Sequence, residues 1–490
     1  MSYGIYYVDH YQESTDDLRI SAAIQDAIST TQGRQKGGRV VLSDREYTIS
    51  DSIVLHSNII FCGAGAATSI KCLVDRPIIQ INRDNDDSSN IEIRDMTLSY
   101  GSMNTSNSFH IEADCPFRLK IYNITFLGPG REYSGVLTWN ANSESPNKRE
   151  DPIHGGPSFP AFMTHIENCL FNCASIWLND SDSRIINNYI WANSTDNPNL
   201  LRYAVRLSNG SINISGNDIV AGYESGIHLA PTCSGVRIEN NYFDGSWPGV
   251  YTGWCISMFY AYQILILGNT FSQSYRGGIN ILSSYQITIS KNIFSNLNRS
   301  GDSASQFDIK IISGQDLTTG HLIEGNQHIR QFSDSQNYAV FTDGNTQATI
   351  VNNSLIDWGD NHFNSYIKPP FVMPTNVYAI RKDNRVTSRV VLSEESHCDY
   401  YPYQFDEGEA IVLDNSNAQN IPIHFSEAFK AQGLLPKVQD IHVNFIGYSS
   451  TSAVVFSIWG INTTGFHIAV RRLNNSSTTD GIFYWRVSLQ

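Results

Sequence analysis

Val236-Arg237-Ile238-Glu239-Asn240-Asn241-Tyr242-Phe243 is the stretch that decides the fold. Apolar side chains alternate along it, two polar residues follow, and an asparagine precedes a second apolar pair. The phrase returns as Ile185 to Ile190 around Asn188, Ile212 to Ile219 around Asn217, Ile264 to Phe271 around Asn269 and Ile287 to Phe294 around Asn292. It continues as Leu322 to His328 around Asn326 and Thr349 to Leu355 around Asn353. Successive asparagines stand 29, 24, 28, 23, 34 and 27 residues apart, the length of one short solenoid coil. Loops of changing length therefore sit between constant parts.

Period-2 apolar residues place alternate side chains inside a stack. Asparagine tolerates the left-handed backbone of a tight corner, and stacked corners let its amides form a ladder that satisfies buried polar groups. Ordinary sandwich turns do not repeat one phrase in one frame. Upstream, Ile93 to Leu98, Ile121 to Phe126 and Ile166 to Phe171 keep the apolar spacing but set the polar turn residue one place earlier. The expected solenoid runs from about residue 40 to about residue 365, with about 13 coils and a rod roughly 60 Å long.

A chain of 490 residues with 41% hydrophobic and 16% charged residues is a folded, β-rich class rather than a disordered one. Its net charge of −14 with no long basic run argues against nucleic acid, whose binding rests on neutralised phosphates. The opening residues lack a signal-peptide pattern, and no apolar run is long enough to span a membrane. The eight cysteines are too sparse for a disulfide scaffold. Cys169 and Cys173 lack a matching second pair, so neither a metal nor a cofactor is expected.

Thr15-Asp16-Asp17 offers a helix start, and Ile20, Ala23, Ile24, Ala27 and Ile28 follow on one stripe. This helix is expected to cover the open end of the rod. Beyond residue 365 the asparagine phrase stops at Lys368-Pro369-Pro370-Phe371-Val372-Met373-Pro374, text unsuited to a ladder. The expected organisation is all-β: residues 1–36 as N-terminal segment and capping helix, 37–367 as parallel β-helix, 368–385 as linker, and 386–490 as a C-terminal β-sandwich. A short helix near Ser426 to Leu435 is expected within the last unit, which would serve trimerisation or sugar binding.

The run from Asp16-Asp17 through Gly37-Gly38-Arg39-Val40-Val41-Leu42 and Tyr47-Thr48-Ile49 to Ile59-Ile60-Phe61-Cys62-Gly63-Ala64-Gly65 resembles the entry of pectate-lyase-like right-handed parallel β-helix proteins. With the later coils and the terminal sandwich, the chain resembles bacteriophage tailspike depolymerases. That resemblance implies a homotrimer on the virion tail, made in the host cytoplasm, that cleaves bacterial surface polysaccharide such as capsule or O-antigen. The chain departs from that resemblance by beginning near the cap helix, without the large particle-binding domain of many tailspikes: either that domain has been trimmed from the sequence, or attachment to other tail proteins runs through the first dozen residues or through another spike.

Aligning coils by their asparagines brings Val205-Arg206-Leu207, Ile227-His228-Leu229, Ile256-Ser257-Met258 and Ile279-Asn280-Ile281 into register. Arg206, His228, Ser257 and Asn280 then form one outward, solvent-facing column, extended upstream by Trp177. The text before these strands carries Tyr223, Glu224, Asp244, Trp247, Tyr251, Trp254, Tyr275 and Arg276. Aromatic faces stack on sugars, and two carboxyl groups supply the acid and the nucleophile or base of glycoside hydrolysis. Glu224 and Asp244 are the expected catalytic pair, from adjacent coils. Trp177, Arg206, His228, Trp247, Tyr251, Trp254, Tyr275, Arg276 and Asn280 are expected to bind substrate, with Asp302, Asp308, Asp343 and Asp357 as competing carboxylates. A polysaccharide lyase, with Arg206 or Arg276 neutralising a uronate, and a non-catalytic adhesin are the alternatives.

Overall fold

The computed structural model describes residues 4–29, 37–82, 89–101, 108–128, 134–139, 161–192, 202–220, 224–245, 253–274, 276–297, 307–314, 317–329, 338–343 and 345–356. It also describes strands at 371–372, 380–382, 385–387, 405–412, 418–424, 441–447, 454–462, 464–472 and 481–488. Among these residues no helix is long and apolar enough to cross a membrane.

The repeat closes into a parallel β-helix. One sheet of twelve strands runs along the rod from Ile53–Leu55 to Phe371–Val372, and a second, of 27 strands, wraps the other faces. Twelve stacked strands span about 50 Å. Every rung pairs in parallel, as with Ile227 beside Ile256 and Ile238 beside Ile266. Alternate residues point inward: Ile185, Ile214, Ile238, Ile266, Ile289, Ile323 and Ile350 all lie in the core. Beside them Phe243, Phe271, Phe294 and His328 stack with centroid spacings of 4.8, 4.8 and 4.9 Å.

The asparagine ladder forms as the phrase suggests. Asn217 Nδ2 donates to Asn241 Oδ1 at 2.9 Å, Asn241 to Asn269 at 3.0 Å, Asn269 to Asn292 at 3.0 Å, Asn292 to Asn326 at 3.0 Å and Asn326 to Asn353 at 3.0 Å. Each of these Oδ1 atoms also accepts the backbone N–H of the preceding asparagine, and each Nδ2 also reaches a carbonyl on the far side, as Asn241 does to Ile214 O at 2.9 Å. All the bonding capacity of a buried amide is used, which is the condition for keeping it inside.

One part of the expectation is corrected. The left-handed corner belongs to the residue before the ladder asparagine: Asn187, Gly216, Asn240, Gly268, Lys291, Gly325 and Asn352 have φ between 54° and 67°. Upstream, Asp95, Asn123 and Asn168 hold the same corner, at φ 61°, 51° and 54°. Their side chains lie on the outside, where Asn123 Nδ2 donates to Asp95 Oδ1 at 2.9 Å, and do not enter the buried ladder. The ladder position itself is filled there by buried Met96, Ile124 and Cys169.

The helix α1 spans Asp16–Ser29 and buries Ile20, Ala23, Ile24 and Ala27 across the end of the rod. Its first turn is tied to the neighbouring strand: Thr48 N donates to Asp16 Oδ2 at 2.9 Å and Arg45 to Asp16 Oδ1 at 3.0 Å. At the other end, parallel pairing continues past the prolines. Phe371–Val372, Ile380–Lys382 and Arg385–Thr387 add a further coil on Val340–Phe341, Thr349–Val351 and Ser354–Ile356. The stretch read as a linker over 368–385 thus carries solenoid strands, because the prolines precede the strands rather than interrupt them. Beyond it lie two three-stranded antiparallel sheets, one of Phe405–Val412, Gly481–Ser488 and Ile441–Gly447, the other of Ala418–His424, Gly465–Arg472 and Val454–Asn462. The expected helix at 426–435 lies outside the described residues.

Candidate functional site

The outward column exists in the expected register. Trp177 pairs with Arg206, Arg206 with His228, His228 with Ser257, Ser257 with Asn280 and Asn280 with Lys310. Inward neighbours such as Val205, Ile227, Ile256 and Ile279 are fully buried, so alternation turns the column away from the core.

It is not uniformly open to solvent. Trp177 is only 3% exposed, packed with Phe109, Leu137 and Tyr203 in an apolar cluster separate from the solenoid core. Phe109 meets its indole edge-on at 5.4 Å, and the Arg206 guanidinium lies 5.0 Å above the ring. Trp254, expected in the groove, is 7% exposed and also buried. The expectation of a fully solvent-facing column is therefore corrected at its upstream end, where Phe109, Trp177 and Tyr203 fold onto one another across adjacent coils. Arg206, His228, Ser257, Asn280 and Arg276 remain half-buried and line the open part.

Tyr203 organises the middle of this face. Its ring stacks on His228 with centroids 4.4 Å apart and planes 16° apart, and Arg202 and Arg206 lie over it at 5.4 and 6.0 Å. Its hydroxyl donates to Glu224 Oε2 at 2.7 Å. Arg202 reaches the same carboxylate through Nε to Oε1 at 2.9 Å and Nη2 to Oε2 at 3.1 Å, a bidentate pair. Burial, then the hydrogen bond and charge of Glu224, push the Tyr203 phenol up to about 12. Below, His228 Nδ1 and Ser257 Oγ are 2.8 Å apart, and Ser257 Oγ donates to Ser225 Oγ at 2.9 Å. Burial, then Arg206 and Arg202, lower His228 to about 3, so the imidazole is neutral at pH 7 and is a weak base.

Glu224 immediately precedes the strand Ser225–Leu229, at the corner after Asp218–Val220, and its carbonyl accepts the Trp254 N–H at 2.9 Å. Asp244 ends the strand Tyr242–Asp244 one coil further on and lines a small cleft with Gly226, Gly253, Trp254, Cys255 and Ser274. The cleft depends on a bare backbone at Gly253: a Cβ there would stand 1.8 Å from the Glu224 carbonyl oxygen. Burial first, then the charge of Asp244, raise the neighbouring Asp218 carboxyl. Glu224 and Asp244 thus come from adjacent coils, Glu224 at the head of Ser225–Leu229 and bonded to Arg202 and Tyr203, Asp244 at the end of Tyr242–Asp244.

The competing carboxylates divide. Asp308 is buried with His328, Oδ2 to Nδ1 at 2.8 Å. Asp343 accepts from Ser313 N, Ser313 Oγ and Thr346 Oγ1 at 2.8, 2.7 and 2.6 Å, which makes it a turn-holding residue. Asp302, Asp357, Tyr223, Trp247, Tyr251 and Tyr275 lie outside the described residues. Arg202, Tyr203 and Asp218 were not singled out by sequence reasoning. Only the register relation of Tyr203 to Ser225 and Trp254 could have pointed to the tyrosine.

Residues 174–355 match the family model described as the right handed beta helix region. No curated protein sequence matches the chain. Among solved structures, the Dettilon tailspike protein (gp208) aligns over 99% of this chain and 94% of its own, with 13% identity and a TM-score of 0.54. A mutant tailspike of the E. coli bacteriophage HK620, in complex with a pentasaccharide, aligns over 98% of this chain and 90% of its own, with 12% identity and a TM-score of 0.56. The gp42 tailspike of an Acinetobacter phage aligns over 98% and 83%, with 10% identity and a TM-score of 0.53. The chain is similar to these proteins in fold, a right-handed parallel β-helix.

Proposed function

We propose that this chain is a phage tailspike that binds a bacterial surface polysaccharide along the face from Arg206 to Asn280 and cleaves it as an endo-glycosidase. The reading is carried by one observation: a carboxylate, Glu224, held on three hydrogen bonds by Arg202 and Tyr203 beside an aromatic and cationic column. Similarity to tailspikes, one of them holding a pentasaccharide, supports the polymer as ligand. Both oxygens of Glu224 act as acceptors, which suits a nucleophile or base rather than an acid. Asp244, on the adjacent coil, is its partner. In the reaction the glycosidic C–O bond breaks, the leaving oxygen takes a proton from the acid side, and water supplies the new C–O bond. The assembly that goes with this reading is a homotrimer on the phage tail, attached to other tail proteins through its N-terminal segment.

Incubation with purified capsule and O-antigen polysaccharides tests it. Hydrolysis gives new reducing ends without an ultraviolet-absorbing unsaturated uronate, and Glu224→Gln and Asp244→Asn each abolish them while leaving binding. Appearance of the unsaturated product overturns hydrolysis in favour of elimination. Binding with no change in polymer size overturns the enzyme reading altogether.

A further inference from the structure

We infer that His228 meets the polysaccharide as a hydrogen-bond acceptor, its proton fixed on Nδ1 by Ser257 and the buried Ser225 so that Nε2 takes a sugar hydroxyl. The inference rests on the reading of this face as the polysaccharide site and deepens it, by naming what the sugar on this rung must offer.

Three side chains from two coils make the device. His228 and Ser225 belong to the strand Ser225–Leu229, and Ser257 stands beside His228 on the next coil. His228 Nδ1 lies 2.8 Å from Ser257 Oγ, and Ser257 Oγ donates to Ser225 Oγ at 2.9 Å. Ser225 is fully buried. A hydroxyl carries one hydrogen. That of Ser257 goes to Ser225, so the contact with His228 requires a proton on Nδ1. A doubly protonated ring would also supply one, but burial, then Arg206 and Arg202, lower His228 to about 3 and keep it neutral. A neutral imidazole protonated on Nδ1 has a lone pair on Nε2. Ser257 and Ser225 act through His228 and are positioning residues.

The ring is also held in place. Tyr203 lies flat on it, centroids 4.4 Å apart and planes 16° apart, and the tyrosine hydroxyl is tied to Glu224. His228 is half-buried on the outward column, and no described residue bonds to Nε2. On the preceding rung Arg206 offers only donors. A sugar hydroxyl both donates and accepts, so it can bridge Nε2 and the Arg206 guanidinium across one rung of about 4.8 Å. A carboxylate only accepts, and would set its charge against the Nε2 lone pair. The rung of His228 therefore selects a neutral, hydroxyl-bearing sugar over a uronate.

Nitrogen magnetic resonance on the full chain with isotope-labelled histidine reads the tautomer directly, with His228→Gln assigning the signals. Wild-type His228 should carry its proton on Nδ1 at neutral pH. Ser225→Ala lets the Ser257 hydrogen turn to Nδ1, and Ser257→Ala removes the acceptor, so both should move the proton to Nε2. Both should also weaken equilibrium binding of the capsule or O-antigen polysaccharide about tenfold, measured in the Asp244→Asn background so that the polymer stays intact. Ser257→Thr keeps the hydroxyl and should keep both the tautomer and the affinity. A wild-type His228 protonated on Nε2 overturns the inference, and so does a moved proton with unchanged affinity in Ser225→Ala. Should Ser225→Ala lose its fold, Ser257→Ala against Ser257→Thr carries the same two readouts. Binding without any change in polymer size overturns the glycosidase reading alone, whereas a wild type that binds neither polysaccharide overturns the reading of this face and the inference with it.

Discussion

The Tyr203 hydroxyl lies 2.7 Å from Glu224 Oε2 while its ring rests flat on His228. Replacing Tyr203 by phenylalanine removes the hydrogen bond and keeps the stack. A hydrogen bond to a charged group contributes about 1.5–3 kcal/mol, so kcat on polysaccharide should fall roughly 10- to 100-fold. Binding should stay within about twofold, as Arg206 and the stacked ring remain. Steady-state kinetics together with equilibrium binding decide it: equal losses in both would show that Tyr203 holds substrate rather than Glu224.

The ladder makes a graded stability prediction. Asn269 Oδ1 accepts two bonds from Asn241, from its backbone N–H and from its amide, whereas Asn188 Oδ1 accepts the Cys169 N–H at 2.9 Å, where the coil before it carries a thiol in place of an amide. Asn269→Ala leaves two buried donors without an acceptor and should cost about 3 kcal/mol or more. Asn188→Ala strands fewer and should cost measurably less. Denaturant unfolding of the two variants compares them, and equal losses would mean that the chain of amides is not cooperative.

Asp180 should make stability depend on pH. Its carboxyl is fully buried on the strand Asp180–Ser181, and neither oxygen has a well-aligned hydrogen-bond donor, although the Thr164 and Ser183 hydroxyls are close. Burial raises it from 3.8 to about 7, with those hydroxyls offsetting only part of the effect. The folded state then binds a proton that the unfolded chain has released, so stability is full below about pH 4 and falls as pH rises towards 7. The loss is of order 4 kcal/mol at most. Asp180→Asn should flatten that slope in melting curves taken between pH 4 and 8.

At Gly253 a Cβ would meet the Glu224 carbonyl oxygen at 1.8 Å and the Glu224 Cα at 2.7 Å. Gly253→Ala must therefore push Glu224 and the Trp254 strand apart. Cleavage should drop at least tenfold while the ladder, on another face, keeps most of the melting temperature. Matching losses of cleavage and of melting temperature would show instead that Gly253 serves the rod as a whole.

The rod was readable because its inward positions obey one period through every coil, and Ile227, Ile256 and Ile279 fix the outward register of His228, Ser257 and Asn280 without further information. The residue of the corner was harder to read. Asn240 and Asn241 are the same residue type in consecutive places, and only backbone geometry separates the left-handed one from the buried one. The chemistry was least legible. Glu224 and Asp244 stand out as carboxylates beside loops, but their partners come from neighbouring coils whose distance in sequence changes from turn to turn. Tyr203 and Arg202 lie 21 and 22 residues before Glu224, and no local pattern links them. Trp177 reads as an outward aromatic and is one, yet Phe109, 68 residues earlier in the numbering, covers it.

The helix across the end of the rod has a meaning beyond packing. Each coil offers the next one a matching set of backbone donors and acceptors, so nothing within the repeat itself limits its length. An uncovered end would recruit any strand of suitable pattern, including the end of another molecule, and would grow as a fibre. By burying Ile20, Ile24 and Ala27 over the first coil and fastening Asp16 to Thr48 and Arg45, α1 closes this end of a self-templating stack against further growth.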